Sequence, residues 1–161
     1  MQDGGSPQPQ DEVGALLAEL VDRLREELVD AASVTRTEFR DGDGIGWDLQ
    51  PVNPRSAPVS WILFGDEILL QTGKLYRGGR WELDRSLEDA HFVERVVRAA
   101  IAGTVTEISA LARSRVEVTV EGGRVVHETG YEGCWAVLVP LPGWRRWGRV
   151  AHHEPYTLPR K

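Results

Sequence analysis

Residues 45–72 read IGWDLQPVNPRSAPVSWILFGDEILLQT, and this stretch decides the fold class of the 161-residue chain. Its first apolar residues, Ile45, Trp47 and Leu49, alternate with small or polar ones, the period-2 pattern of a strand with one packed face and one wet face. Two further apolar runs follow, separated by Gly65-Asp66, a pair typical of a tight turn. These runs predict strands at 45–50, 59–64 and 68–72. With a further run just before the quoted stretch, at 34–40, they predict four consecutive antiparallel strands.

Amphipathic helices are predicted on both sides of these strands. Before them, apolar residues recur every three or four positions over residues 11–32, which predicts a long helix with one buried stripe. After them, Ser86 is a suitable side-chain cap for a second helix over residues 87–102, and Gly103 is suited to end it. For residues 105–112, a prolonged helix and an irregular crossing both remain open.

The rest of the chain adds predicted strands. Residues 115–120 and 124–128 flank Gly122-Gly123 and predict a β-hairpin, and residues 135–139 predict one more strand. We therefore expect one α+β domain over residues 11–143, with two main helices packed on a mostly antiparallel sheet of five to seven strands. In the order of its elements alone the chain resembles secretion chaperones, and element order implies no function.

Composition and charge exclude several classes of partner. The net charge is −6 and the sequence pI is near 5.3, so nucleic-acid backbones and anionic membranes would repel the chain, and we expect neither as a partner. No apolar run approaches the roughly 20 residues that cross a bilayer. The lone Cys134 and the absence of a secretory signal favour the cytoplasm. Lysine occurs only at Lys74 and Lys161, and this preference for arginine is typical of a G+C-rich bacterial genome.

The two ends of the chain differ in charge. Residues 1–31 carry eight acids against two arginines, whereas residues 140–161 carry five bases against Glu154 alone. Residues 1–10 have no apolar side chain after Met1, which predicts a disordered lead. We interpret the acids as the solvated face of the first helix and the bases as a solvated tail, in preference to a steering role.

No motif in the sequence predicts catalysis, metal binding or cofactor binding. The segment 41–48 superficially resembles a calcium loop, but Ile45 and Val52 stand where oxygen ligands belong. The segment 152–154, His-His-Glu, is the best metal candidate, yet adjacent side chains of an extended segment point to opposite sides. Cys134 lies in a predicted strand rather than at a helix N-terminus that would activate it. We expect no metal site and no cofactor, and we favour a function without catalysis.

The tryptophans are the main functional clue. The chain has six of them, and Trp and Arg are the side chains most enriched at interface hot spots. Residues 144–149, WRRWGR, open a proline-flanked tail over residues 144–161 whose rings need a partner surface. We expect the tail to fold back with its arginines on the acidic first helix, and the alternative is a second subunit or another protein. The predicted interface residues are Trp144, Arg145, Arg146, Trp147, Arg149, Trp47 and Trp81.

These features together predict a small cytosolic bacterial protein-binding domain. An immunity-protein-like or chaperone-like adaptor is the expected type, because an acidic domain suits a basic partner such as a toxin. One alternative is a homodimer that buries the aromatic residues of the tail. The other is a small enzyme or ligand-binding domain with a pocket between the sheet and the second helix. The residues considered for that pocket are Asp48, Arg80, Glu82, His91 and His127.

Overall fold

The computed structural model describes residues 9–39, 44–74, 78–133 and 141–157. Cys134 and the predicted strand 135–139 lie outside the described residues. The elements in chain order are α1 (Pro9–Glu27), β1 (Ala32–Glu38), β2 (Gly44–Pro51), β3 (Val59–Phe64), β4 (Glu67–Thr72), β5 (Arg80–Asp84), α2 (Leu87–Ile101), β6 (Val105–Ala110), β7 (Arg113–Thr119), a 3₁₀ turn (Glu121–Gly123), β8 (Val125–Tyr131), α3 (Trp144–Trp147) and β9 (Arg149–His152).

The strands form two antiparallel sheets, and the predicted α+β class is confirmed. The first sheet is a meander in the order β1-β2-β3-β4-β5, and the second has the order β8-β7-β6-β9. We expected one sheet of five to seven strands, and the described residues instead divide into sheets of five and four strands. The division occurs at α2, which leads the chain away from β5 so that β6 begins a new sheet.

One face of the first sheet carries the core. Trp47 and Trp61 are cross-strand partners on β2 and β3, and their rings stack with centroids 6.0 Å apart. Trp81 on β5 meets Phe92 of α2 edge to face, with centroids 6.1 Å apart, so α2 covers this face. The same hydrophobic core includes Val116 from the second sheet, so both sheets contribute to it.

The two long helices pack side by side on this core. In α1 the apolar stripe that includes Leu17 is fully buried, and α1 begins at Pro9, a residue suited to the first position of a helix. The Asp89 amide donates to Ser86 Oγ at 3.1 Å, as expected for an N-cap of α2. An ion pair between Arg23 and Glu94, 2.9 Å long, joins the helices. No helix in the described part of the chain is both long and apolar enough to cross a membrane.

Gly103 explains why the ambiguous segment after α2 is a strand. Its φ is +76°, a left-handed conformation that ends the helix, and β6 begins two residues later. A Cβ atom on Gly103 would lie 2.4 Å from the backbone nitrogen of Pro155. Glycine therefore both turns the chain and allows the C-terminal segment to approach closely.

The C-terminal segment is bound to the fold at several points. The amides of His153, Glu154 and Tyr156 donate to the carbonyls of Val105, Arg55 and Ile101 at 2.9, 3.1 and 3.0 Å. The buried hydroxyl of Tyr156 donates to the Ala57 carbonyl at 2.7 Å. These bonds fix the position of β9, which immediately precedes them in the chain.

Candidate functional site

The residues predicted at the interface fall into three places. Helix α3 carries Trp144, Arg145, Arg146 and Trp147, which we call the Trp–Arg surface. Trp147 is 57% exposed, and both arginines are exposed as well. Trp47 and Trp81, by contrast, are only 5% and 9% exposed and offer almost no surface to another molecule. Arg149 lies on β9, in a cleft described below.

Helix α3 rests on the second sheet. The helix packs against β6. A Cβ atom added to Gly148, the residue that follows α3, would lie 3.0 Å from Cγ2 of Ile108, which is 8% exposed. We expected the arginines of the tail to rest on α1. In the described part of the chain the ion pairs that leave α1 go to α2, and none includes Arg145 or Arg146. Both side chains are exposed, and they line a shallow cleft together with Glu117 of β7.

Strand β9 forms an edge of the second sheet, as far as the described residues extend. The bond from the His153 amide to the Val105 carbonyl fixes the antiparallel pattern, in which alternate residues bond to the neighbouring strand. Arg149 and Ala151 therefore direct their backbone groups towards β6, and Val150 directs its own away from it. All four residues of β9 are exposed. The outward backbone groups of Val150 lie three residues after Trp147 in the chain.

A buried histidine–glutamate pair lies next to β9, on the side of the strand that faces β6 rather than at its open edge. His153 Nε2 lies 2.6 Å from Glu107 Oε1, and the side chains are only 5% and 3% exposed. His153 Nδ1 lies 3.1 Å from the Arg55 carbonyl oxygen, and the Lys74 amide also donates to Glu107 Oε1. The pair thus links β6, the loop after β2 and the C-terminal segment.

The hydrogen bonds determine how many protons the pair holds. A carbonyl oxygen only accepts, so Nδ1 of His153 must carry a hydrogen that it donates to Arg55. At 2.6 Å, Nε2 and Glu107 Oε1 also need a proton between them, because two lone pairs would repel each other. The pair therefore consists either of an imidazolium and a carboxylate or of an imidazole and a carboxylic acid. In both forms its net charge is zero.

A cleft of about 340 Å³ opens beside this pair, and we call it the His153 cleft. Its lining includes Arg55, Lys74, Glu107, Ser109, Arg149 and His153. Arg55 is paired with Glu154 at 3.0 Å, and the Lys74 ammonium donates to the carbonyl of Pro54, which carries no charge. The cleft is therefore a basic surface with a neutralised acid beneath it.

Two ionisable groups next to the cleft have shifted pKa values. Burial raises the pKa of the Tyr156 hydroxyl well above its usual range. The pKa of Glu154 is lowered, first by the hydrogen bond from the Asn53 amide at 3.1 Å and then by Arg55. Both shifts favour the protonation states in which these residues hold the C-terminal segment to the loop at residues 53–57.

The sequence interpretation did not identify the His153 cleft. It assigned His153 to a solvated tail, whereas His153 is 8% exposed and His152 is exposed on the other side of the segment, with Nδ1 3.1 Å from Thr106 Oγ1. One signal was present in the sequence. Glu107 is two residues from Val105, so in a strand both side chains lie on the same face, and an acid on the buried face of a strand needs a polar partner.

The residues considered for a pocket beside the second helix do not come together. Asp48, Arg80 and Glu82 lie on the face of the first sheet opposite Trp47 and Trp81, and therefore opposite α2. A cleft of about 770 Å³ does adjoin α2, and it is lined by residues that include His91 and Glu94. His91 Nδ1 is 3.9 Å from Glu94 Oε2, and the side chain of His91 is 55% exposed. His127 lies on β8, opposite Glu117 of β7.

Metal chemistry and known relatives give no further assignment. Within the described ranges, no group of three or more His, Cys, Asp or Glu side chains is arranged to hold a metal ion. Comparison with known proteins finds no family model that matches the chain and no curated protein with significant sequence similarity to it.

Proposed function

We propose that the chain is a protein-binding domain, and that the Trp–Arg surface together with the open edge of β9 is its binding surface. The observation that carries the proposal is the indole of Trp147, 57% exposed beside two exposed arginines that form no ion pair with a carboxylate of the described residues. Trp and Arg dominate the binding energy of protein interfaces, because each combines a large contact area with directed polar groups.

The local charge of this surface indicates an acidic partner. The whole chain carries a net charge of −6, and from that charge we expected a basic partner. At the Trp–Arg surface the sign is the opposite, because Arg145 and Arg146 are exposed and no ion pair within the described ranges includes either of them. A basic patch on an acidic molecule orients an approaching acidic partner, since the rest of the surface repels it.

The edge of β9 supports an extended conformation for the bound segment. A peptide that adds a strand to a sheet edge gains main-chain hydrogen bonds, and its side chains provide specificity. The outward backbone groups of Val150 would supply those bonds, and the exposed indole of Trp147, three residues earlier in the chain, would offer an apolar contact. We therefore assign the surface to an extended acidic segment of another protein, in place of the basic partner expected from the net charge of the whole chain.

A displayed library of random nonapeptides, selected on the purified chain, tests this proposal. We expect the selected peptides to be acidic, and we expect Trp147→Ala to weaken their binding at least about tenfold in fluorescence anisotropy. Val150→Pro removes one outward amide without removing a bond to β6, so it should weaken the same peptides while the urea midpoint stays close to that of the wild type. Arg124→Gln, which removes an exposed arginine from the β7–β8 turn, is the control and should leave affinity unchanged.

Three outcomes would refute the proposal. The first is selection of peptides without an acidic preference, and the second is binding that neither Trp147→Ala nor Val150→Pro changes. The third is a stable dimer, measured by light scattering, in which Trp147 is protected from solvent quenchers and no acidic peptide binds. That last result would assign the surface to a second copy of the chain.

A further inference from the structure

The His153 cleft lies on the opposite side of β9 from the Trp–Arg surface and has no part in the proposed protein binding. Successive side chains of a strand point to opposite faces, so Arg149 and Ala151 face this cleft, whereas Val150 faces away. The cleft is therefore a separate feature of the molecule, and its chemistry can be considered independently.

The balance of charge in the cleft is positive. Glu107 is the acid of its lining, and the proton that it shares with His153 leaves the pair without net charge. The Lys74 ammonium bonds to a neutral carbonyl, and no ion pair among the described residues compensates the charge of Lys74 or of Arg149. Arg55 adds a third cation, which Glu154 already compensates.

The polar groups of the lining are mostly hydrogen-bond donors. The guanidinium of Arg149 has five N–H groups in a planar fork that matches a carboxylate or a phosphate, and the Lys74 ammonium is a compact point charge. The hydroxyl of Ser109 also lines the cleft and can donate to an oxygen. A set of donors with uncompensated positive charge suits an anion that presents several oxygen atoms.

We propose that the His153 cleft is a binding site for a small oxyanion, a carboxylate or a phosphate group, held by Arg149 and Lys74 above the neutral His153–Glu107 pair. The volume of about 340 Å³ limits the ligand to a small molecule or to one charged group of a larger one. The pair keeps Glu107 from repelling the anion, and it also fixes β9 so that Arg149 remains in the lining.

Titration with sodium phosphate and with sodium acetate tests the site, with heteronuclear NMR shifts of the full chain as the readout. Sodium chloride keeps the ionic strength constant, so that general screening does not contribute. We expect saturable one-to-one binding of at least one anion, with a dissociation constant below about 1 mM. Phosphate binding alone would identify a phosphate group as the ligand class, and acetate binding alone would identify a carboxylate.

Charge-removing variants locate the binding. Arg149→Gln and Lys74→Gln should each weaken it at least about tenfold, because each removes a charge-assisted hydrogen bond. Arg124→Gln removes the same charge at a distance from the cleft and should change affinity less than about twofold. Val150→Pro should also leave anion binding intact, which separates this result from the test of the protein-binding surface.

The proposal is overturned if neither anion saturates. It is also overturned if Arg124→Gln weakens binding as much as Arg149→Gln does, since the attraction would then come from the diffuse field of the whole chain. Urea midpoints of all four variants show whether the fold is retained, and binding is compared only among variants whose midpoints agree.

Discussion

Replacing Tyr156 with Phe tests how the C-terminal segment is held, because both proposals depend on the position of β9. The hydroxyl of Tyr156 is buried and donates to the carbonyl of Ala57, a residue with no exposed surface. A net hydrogen bond contributes about 1 kcal/mol, and an unpaired buried carbonyl costs about 1–3 kcal/mol. Near pH 8 we therefore expect Tyr156→Phe to reduce the free energy of unfolding by about 1–3 kcal/mol.

The pH dependence distinguishes this cause from a simple packing defect. Burial raises the pKa of Tyr156 in the folded chain, whereas the unfolded residue ionises near its usual value of about 10. The unfolded chain thus loses this proton first as the pH rises, and the folded state loses about 1.4 kcal/mol of stability for each pH unit above about 10. Between pH 10 and pH 11.5 the wild type should lose about 2 kcal/mol that the variant keeps.

Urea unfolding followed by tryptophan fluorescence at several pH values between 8 and 11.5 measures both effects. The difference between wild type and variant should shrink by about 2 kcal/mol between pH 10 and pH 11.5. All other alkaline titrations are common to both proteins and cancel in this difference. A difference that stays constant up to pH 11.5 would show that the Tyr156 hydroxyl ionises in the folded chain as easily as in the unfolded one. That result would contradict the raised pKa of the buried hydroxyl.

Further variants test the core, the turn after α2 and the contact between the helices. Leu17→Ala should cost about 2–5 kcal/mol in urea unfolding because Leu17 has no exposed surface, whereas Val29→Ala, at a side chain that is 74% exposed, should change stability by less than about 0.5 kcal/mol. Gly103→Ala should cost more than about 3 kcal/mol, since its Cβ would collide with backbone, whereas Gly122→Ala, also at positive φ but in open space, should cost about 1–2 kcal/mol. The hydrogen bonds from Arg98 of α2 lower the pKa of Glu27. The stabilisation lost in Glu27→Gln is therefore present above about pH 4.3 and disappears as the pH falls. Because the Glu27 side chain is 45% exposed, that loss should be less than about 1 kcal/mol at pH 7 and smaller still in 1 M salt, as urea midpoints would show.

The first sheet was predictable because its pattern is local. Strand β3 begins and ends where the sequence predicts, at Val59 and Phe64, since an apolar run interrupted only by Ser60 stops at the Gly65-Asp66 turn. Strand β5, residues 80–84, was not predicted as a separate strand, because charged residues at 80, 82 and 84 leave only Trp81 and Leu83 to indicate its buried face. Charged and apolar residues do alternate in β5, but over only five residues, and its strand conformation depends on pairing with β4.

The candidate site was harder to predict because its contacts are distant in sequence. Glu107 and His153 are separated by 46 residues, and the strand that brings them together, β9, is exposed at all four positions. Period-2 burial is the signal that identifies a strand, and β9 does not have it. By contrast, composition alone suggested the Trp–Arg surface, whose role stays a prediction. Composition also suggested Trp47 and Trp81, which are buried in the core.

Strand β9 separates the two proposals, and this separation can be measured. The Arg149 side chain lines the His153 cleft, whereas the backbone groups of Val150 face the open edge of the sheet. A change at one residue should therefore not alter binding at the other site. Gly103→Ala is different, because it disturbs the place where the C-terminal segment meets the turn after α2. We expect that variant to weaken peptide and anion binding together, whereas Val150→Pro affects only the peptide and Arg149→Gln only the anion. If Gly103→Ala left both affinities unchanged, the anchoring of β9 would not be what positions either site.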